Sequence, residues 1–147
     1  MEWSRGDYEV STDRARLDLP TIYRFLSEEA YWSPEIPMDT VGRAIENSIV
    51  FGLYRGTDMA GFARVVTDHA TFAWVCDVFV LAEHRGHGLG KFLMECVKSH
   101  PDLQGLRRWI LATRDAHGLY EQFGFSVAPS GGLMEIRDID IYRRPRG

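Results

Sequence analysis

The feature that most constrains the fold is the segment Leu81–Gly90 (LAEHRGHGLG), in which three alternating glycines follow an arginine. The preceding residues 74–81 are rich in aromatic and β-branched side chains, which predicts a buried strand. Residues 88–99 carry apolar side chains at helical spacing, which predicts an amphipathic helix. Glycines permit positive φ and a close backbone approach, and a helix N-terminus favours an anion. The sequence therefore predicts a strand, glycine loop and helix that bind a pyrophosphate.

Three phosphate-binding patterns compete for this loop, and their spacings separate them. A P-loop is excluded because Gly86 to Gly90 is one residue too short and Phe92 replaces the required hydroxyl residue. A dinucleotide fingerprint fits poorly because the third glycine comes one residue early. The remaining pattern, R-x-x-G-x-G at Arg85, Gly88 and Gly90, resembles the acetyl-coenzyme A loop of the GCN5-related N-acetyltransferase (GNAT) family.

A second segment, HGLYEQFGF from His117 to Phe125, resembles the family's L-Y-E-K-x-G-F motif. The matching positions are Leu119, Tyr120, Glu121, Gly124 and Phe125. One departure is Thr113, which stands where the family often has an asparagine that helps hold the pantetheine arm. Either the Thr113 hydroxyl or a backbone group takes over that contact. The resemblance covers about residues 49–125, and more loosely the whole chain.

The resemblance implies a single N-acetyltransferase domain over residues 1–147, of the α/β (α+β) class. Its expected architecture is the acyl-CoA N-acyltransferase fold, a mixed, mostly antiparallel central sheet flanked by helices, with a splayed central strand. A length of 147 residues and 45% apolar content suit one domain. The strand pattern predicts strands at 7–11, 48–54, 59–67, 74–81, 107–113, 125–127 and 133–137. The helical pattern predicts helices at 20–29, 39–47 (capped by Asp39 or Thr40), 88–99 and 115–122 (capped by Asp115).

Composition narrows the functional classes. The net charge of −4 argues against a general nucleic-acid or membrane-surface binder, which needs a basic face. The N-terminal residues show neither a signal peptide nor a membrane span, so a cytoplasmic location is expected. Cys76 and Cys96 form no C-x-x-C pair. His84 and His87 lack a third ligand at suitable spacing, and no metal is expected.

By resemblance, the co-substrate is acetyl-coenzyme A. The backbone amides near Phe79 and Val80 are expected to face the acetyl and pantetheine groups, with Thr113 and Tyr120 beside them. The pyrophosphate is expected on the loop, held mainly by backbone groups of Arg85, Gly86, His87, Gly88, Leu89, Gly90 and Lys91.

Tyr120 matches the family's tyrosine that reaches the thioester sulfur. Its phenol, with a reference pKa of about 10, is expected to protonate the departing thiolate, whose reference pKa is about 8.5. The alternative is that Tyr120 only packs beneath the last helix. A binding module that senses acyl-coenzyme A without turnover has no need of this donor, so Tyr120 favours an enzyme.

Asp77 lies in an otherwise apolar strand, where a bare buried carboxylate is costly. It is expected either to serve the acceptor amine, as a base through water or as an ammonium anchor, or to be structural, bonded to the loop at Asp68 or near Trp74. Tyr31 and Trp32, in AYWSPEIPM, are expected to wall the acceptor site together with Trp74. A hydrophobic lid that only plugs the core is the alternative for this loop.

The acceptor is expected to be a primary amine of a small molecule or peptide. The acidic residues Glu28, Glu29 and Glu35 suit a cationic acceptor. A homodimer is compatible with the resemblance.

Overall fold

The computed structural model describes residues 1–145. Its strands are β1 Glu2–Arg5, β2 Tyr8–Ser11, β3 Ile49–Arg55, β4 Asp58–Thr67, β5 Phe72–Val80 and β6 Arg108–Ile110. Its helices are α1 Leu19–Arg24, continued by a π-helical turn Phe25–Glu29, then α2 Met38–Glu46, α3 Leu89–Ser99 and α4 His117–Glu121. Short 3₁₀ turns lie at Arg14–Arg16, Ala82–His84 and Pro101–Leu103.

The six strands form one sheet in the order β1-β2-β3-β4-β5-β6. All neighbours are antiparallel except β5 and β6, which are parallel. The β5–β6 pairing covers only Phe72–Trp74 against Arg108–Ile110, so β5 continues for six further residues without β6 beside it. The expected fold class, a mixed and mostly antiparallel sheet with a splayed central strand, is confirmed.

Helices cover both faces of the sheet because successive strand residues point to opposite faces. On one face, α3 buries Leu93 and Val97 against Phe51 and neighbouring strand residues. On the other face, Ile22 of α1 and Val41 of α2 join a cluster with Val50, Phe62 and Phe79 from the strands. The splay therefore opens between the last two strands, β5 and β6, of a sheet that is covered on both faces.

Several expectations about individual elements were wrong. The strands expected at 125–127 and 133–137 do not form, because these segments find no hydrogen-bonded partner among the described residues. β1 was missed, and β6 is shorter than the seven residues expected. Helix α2 is preceded by Pro37 as its N-cap, which places Asp39 inside the first turn. Helix α4 has Ala116 as its N-cap, because the Ala116 N–H is held by the Thr113 hydroxyl.

Candidate functional site

The glycine loop connects the end of β5 to the start of α3. Gly86 (φ 87°) and Gly88 (φ 71°) both have left-handed backbone conformations that glycine adopts without strain. A Cβ at either position would meet no atom within 4 Å, so the glycines are needed for the backbone conformation and not for space. The Arg85 Nε donates to the Val80 carbonyl oxygen at 2.9 Å, which ties the loop to the end of β5. His87 and Lys91 are exposed beside it.

The first turn of α3 presents backbone groups to this loop. Gly88 is its N-cap and supplies no side-chain hydrogen bond, so the positive end of the helix dipole faces the loop. Leu89 is buried, and it can serve a ligand only through its backbone. A Cβ on Gly90 would lie 3.6 Å from Leu119 Cδ2, which shows that this turn packs against α4. The structure therefore brings the two sequence motifs side by side.

The backbone of β5 beyond Trp74 lacks a strand partner on its β6 side. The Leu81 N–H donates to the Ala60 carbonyl of β4 at 2.8 Å. Because the backbone N–H and C=O groups of successive strand residues point to opposite sides, those of Val80 point away from β4 and toward the splay. The Phe79 side chain is buried and stacks on Phe25 with ring centroids 4.0 Å apart. By the same alternation, the backbone N–H and C=O groups of Phe79 point toward β4. Of the two amides expected at the acetyl group, the geometry favours Val80.

Tyr120 and Thr113 line the same groove, which has a volume of about 600 Å³ and runs along β6. The Tyr120 ring packs edge-on against Phe125 at 5.9 Å. Burial raises the pKa of Tyr120 to about 12, and the nearby Tyr31 and Asp115 add smaller contributions. The phenol therefore stays protonated at neutral pH and is available as a hydrogen-bond donor. The Thr113 Oγ1 accepts from the Ala116 N–H at 3.0 Å, which leaves the Thr113 hydroxyl hydrogen free to donate elsewhere.

Asp77 forms contacts with both of its carboxylate oxygens. Its Oδ2 accepts from Arg64 Nε of β4 at 2.7 Å, and its Oδ1 accepts from Trp32 Nε1 of the loop 31–37 at 2.8 Å. The side chains of Arg64 and Asp77 are only 17% and 13% exposed. Asp77 has φ 49°, and the β4–β5 register shifts beside it, between Phe62 and Arg64. These contacts favour the structural interpretation of Asp77, with partners different from those expected from the sequence.

Arg64 is the residue that the sequence interpretation missed. It is the only charged side chain within the apolar run Met59–Val66, just as Asp77 is within residues 72–81. The two strands are joined by a short turn, so the two isolated charges must lie close together in the sheet. A buried charge requires a partner, and this requirement was a usable signal for the Arg64–Asp77 pair.

The segment Tyr31–Trp32 bridges the splay. Trp32 is bound to β5 through Asp77, as described above. The Tyr31 hydroxyl accepts from the Arg114 backbone N–H at 3.1 Å, and the Arg114 guanidinium lies 3.9 Å from the Tyr31 ring centroid. The two rings of the segment pack edge-on at 5.1 Å. Both side chains remain partly exposed, so they are available to line an acceptor site.

Trp74 is separate from this aromatic pair. It lies in the part of β5 that pairs with β6, opposite Ile110, and is partly exposed. In the described part of the chain no ring contact joins Trp74 to Tyr31 or Trp32. The structure thus brings Tyr31, Trp32 and Asp77 together and leaves Trp74 outside their contacts.

We expect Asp77→Asn to lower the free energy of unfolding by about 2–4 kcal/mol, because the substitution leaves the Arg64 charge without its partner in a nearly buried position. Asparagine tolerates positive φ, so backbone strain does not contribute to the loss. Urea unfolding measures the change. The double variant Arg64→Met/Asp77→Asn is the control, and it should recover most of the loss. A single variant within about 0.5 kcal/mol of the parent contradicts the role of the ion pair.

The sheet with its splay and the glycine loop at the head of α3 define an N-acyltransferase type of fold. Residues 46–127 match the family model described as the acetyltransferase (GNAT) domain. A curated Gibberella zeae protein assigned as an acetyltransferase is 36% identical over 162 residues, covering 95% of this chain and 86% of the relative. The chain therefore belongs to the GNAT acetyltransferase family.

Solved structures agree with the assignment to the GNAT family. The crystal structure of a protein assigned to the GNAT family from Xanthomonas campestris pv. campestris is 48% identical, with a TM-score of 0.91, and covers 96% of this chain and 100% of that chain. The ribosomal-protein-S18-alanine N-acetyltransferase of Escherichia coli is 25% identical, with a TM-score of 0.67, and covers 83% of this chain and 79% of that chain.

None of the helices in residues 1–145 has the length and apolar character needed to cross a membrane. The same residues contain no group of three or more His, Cys, Asp or Glu side chains arranged to hold a metal ion.

Proposed function

We propose that this protein transfers an acetyl group from acetyl-coenzyme A to a primary amine, by direct attack in a ternary complex. The observation that carries the proposal is the contact between the first turn of α3 and α4. Gly90 lies against Leu119, so the glycine loop and the segment bearing Tyr120 share one side of the molecule. The unpaired edge of β5 ends at the same loop, through the Arg85–Val80 bond.

The residues of the glycine loop and of the unpaired edge of β5 suit coenzyme A. The exposed loop from Gly86 to Gly88 has space around both glycines, and the head of α3 offers uncapped N–H groups to a pyrophosphate. The exposed side chains of His87 and Lys91 lie beside the loop and can donate hydrogen bonds to a phosphate. The Val80 amide and the Thr113 hydroxyl are donors for the pantetheine arm. The bound co-substrate supplies an acetyl group activated as a thioester.

Acetyl transfer requires a C–N bond to form and a C–S bond to break. The attacking amine gives up one proton, and the departing sulfur gains one. Tyr120 is the donor that we assign to the sulfur. Because its pKa is raised to about 12, complete transfer to a free thiolate is unfavourable, and the hydroxyl acts by hydrogen-bonding the sulfur as charge develops on it. The departing thiolate then takes its proton from solvent water.

The acceptor amine is assigned to the side of the splay bridged by Tyr31 and Trp32. These aromatic faces suit an apolar or cationic group. Exposed Glu28 and Glu29 lie just before this loop and favour a cationic amine, whereas Glu35 is paired with Arg143 at 3.1 Å. A peptide amine is supported by the likeness to the Escherichia coli enzyme, which is named for acetylating an alanine. Asp77 then positions Trp32, and a water molecule takes the amine proton.

A second candidate function is an acyl-coenzyme A binding module without turnover. It is favoured by Asp77, whose two oxygens are already bonded to Arg64 and Trp32 and so leave no free base in the strand. Both functions need the same coenzyme A site. They differ in whether an acceptor amine leads to release of the thiol.

We expect acetyl-coenzyme A to raise the midpoint of thermal unfolding, whereas ATP and NAD should leave it unchanged. A ligand that binds only the native state adds about 2.7 kcal/mol at 100 times its Kd. Differential scanning fluorimetry measures the shift. Desulfo-coenzyme A serves as a matched probe, because it keeps the pyrophosphate and should stabilise the protein as well. A response to ATP without a response to either coenzyme would contradict the proposed site.

A further inference from the structure

Tyr31 holds Arg114 at two points. The Arg114 backbone N–H donates to the Tyr31 hydroxyl at 3.1 Å, and the guanidinium carbon lies 3.9 Å from the centroid of the Tyr31 ring. A guanidinium that stacks on an aromatic ring keeps the N–H groups along its edge free to donate hydrogen bonds. The contact with Tyr31 therefore holds a cation in place without using its hydrogen bonds.

The Arg114 charge lies outside the groove that contains Tyr120. Thr113 lines that groove, whereas the lining includes neither Arg114 nor Tyr31. The adjacent residues Thr113 and Arg114 thus serve different sides of the segment that follows β6. The phosphates of the proposed co-substrate already have His87 beside the glycine loop. The Arg114 guanidinium is consequently available to a molecule other than the co-substrate.

Tyr31 and Trp32 form an aromatic wall close to the proposed proton donor. Burial raises the pKa of Tyr120 to about 12, and the Tyr31 phenol adds to this shift, so the two tyrosine side chains lie near each other. Trp32 packs edge-on against Tyr31, with ring centroids 5.1 Å apart. An acceptor that reacts near Tyr120 and contacts the aromatic wall therefore reaches Arg114 with a group that is close to its own amine.

The ion pairs around the aromatic wall leave the charge of Arg114 unbalanced. Asp77 pairs with Arg64 at 2.7 Å, and Glu35 pairs with Arg143 at 3.1 Å. Both of these carboxylates are therefore neutralised by other arginines. Arg114 itself forms no ion pair with any residue in the described part of the chain.

The remaining charges on this side have both signs. Asp115 is exposed and follows Arg114 directly, but in residues 1–145 the two side chains are not within ion-pair distance. Exposed Glu28 and Glu29 end the π-helical turn just before the aromatic wall. An acceptor with an ammonium group and an anionic group complements the free acidic side chains and the free guanidinium together.

We propose that Arg114 determines the acceptor: the acceptor amine also carries a carboxylate, as an α-amino acid does, and the Arg114 guanidinium binds that carboxylate. The inference rests on the proposed function, which assigns the acceptor to the side of Tyr31 and Trp32. A planar guanidinium matches the two oxygens of a carboxylate and can bind both at once. In an α-amino acid a single carbon atom separates the amine from the carboxylate, which suits a guanidinium held near Tyr120.

The first test compares amino acids with their carboxamides as acceptors. The pairs are phenylalanine with phenylalaninamide, which suit the aromatic wall, and alanine with alaninamide, which have a smaller side chain. We expect kcat/KM to be about 10–100-fold higher for the amino acid of each pair, the usual effect of hydrogen bonds to a charged group. Phosphoethanolamine with ethanolamine is the corresponding phosphate pair, and it should give a smaller ratio.

Variants of Arg114 show whether this residue causes the preference. Arg114→Met keeps an apolar side chain against the Tyr31 ring and removes the charge, so the ratio of the two kcat/KM values should fall close to one. Arg114→Lys keeps the charge without the planar fork and should give an intermediate ratio. Arg43→Met removes an exposed arginine of α2 and is the matched control, in which the ratio should equal that of the parent. Circular dichroism verifies that each variant is folded.

Calorimetry in the presence of coenzyme A measures acceptor binding without turnover. The amino acid of each pair should bind about 10-fold or more tightly than its carboxamide, and Arg114→Met should remove the difference. This measurement does not depend on the chemical step, so it separates the inference from the proposed function.

Four outcomes would overturn the role of Arg114. They are equal binding of both members of every pair, no binding of any amino acid, a larger ratio for the phosphate pair, and a preference that persists in Arg114→Met or is lost equally in Arg43→Met. The proposed function fails separately. Amino acids that bind through Arg114 without thiol release would support the inference and refute the function, whereas thiol release by amines regardless of a carboxylate would support the function and refute the inference.

Discussion

We expect Tyr120→Phe to lower kcat by about 10²–10³-fold, the usual contribution of one positioned hydrogen-bond donor to charge that develops in the transition state. The substitution keeps the ring that packs against Phe125 and removes only the hydroxyl. Affinity for acetyl-coenzyme A should change little, because the proposed binding contacts come from the glycine loop and the strand backbone and not from the Tyr120 hydroxyl. This pattern identifies an interaction that is made mainly in the transition state. Steady-state kinetics on an acceptor amine, with calorimetry for acetyl-coenzyme A, measure the two quantities.

Tyr23→Phe is the matched control, because Tyr23 is a partly buried tyrosine that packs on the opposite core cluster. Its kcat should equal that of the parent.

The pH profile gives a further check. Since burial raises the pKa of Tyr120 to about 12, its hydroxyl remains protonated below about pH 11 and is lost only above that range. An alkaline loss of kcat near pH 10 that disappears in Tyr120→Phe would contradict this pKa. If Tyr120→Phe keeps the turnover of the parent while chemistry is rate-limiting, Tyr120 is structural.

The second large effect is expected for Gly88→Val, which should weaken acetyl-coenzyme A binding by on the order of 100-fold or more. Gly88 is the N-cap of α3 with φ 71°, and a branched side chain there would occupy the place where we propose that the pyrophosphate approaches the backbone. A non-glycine residue in this conformation also costs about 1–2 kcal/mol of stability. Isothermal calorimetry measures the affinity.

Gly56→Val separates strain from binding. Gly56 has φ 60° in the β3–β4 hairpin, and a Cβ there meets no atom within 4 Å, just as at Gly88. Both variants should lose similar stability, and only Gly88→Val should lose affinity. Equal affinities in two folded variants would remove the glycine loop from the coenzyme A site. Gly90→Ala adds a milder test, because its Cβ makes only an ordinary contact with Leu119.

Local sequence patterns were sufficient to predict most of the elements. The apolar runs of β3, β4 and β5 and the helical face of α3 are each encoded within one element, so their positions follow from the sequence alone. The glycine loop was predictable for the same reason, since Gly86 and Gly88 adopt the positive φ that their residue type permits. The roles of the loop residues stay a prediction that the Gly88→Val experiment addresses.

Features that depend on two distant segments were not predictable. The isolated charge of Arg64 in β4 was a usable signal for one partner of Asp77, but the other partner, Trp32, comes from the distant loop 31–37 and no pattern in either segment indicates that contact. The backbone contact of Tyr31 with Arg114 has no sequence signal of its own. The segment Leu133–Arg137 has the pattern of a strand but pairs with no strand in residues 1–145. In each case the missing information lies in tertiary contacts.

The reaction that we propose is the catalytic transfer of an acetyl group from acetyl-coenzyme A to an amine. The most direct measurement is thiol release from acetyl-coenzyme A across a panel of small amines and peptides with free N-termini, with mass spectrometry of the acceptor. We expect at least one amine to stimulate thiol release and to gain an acetyl group in equal amount, and Tyr120→Phe to slow both together. Tight binding of acetyl-coenzyme A with no amine-dependent thiol release, for any member of a broad panel, would contradict the claim and would favour the binding module.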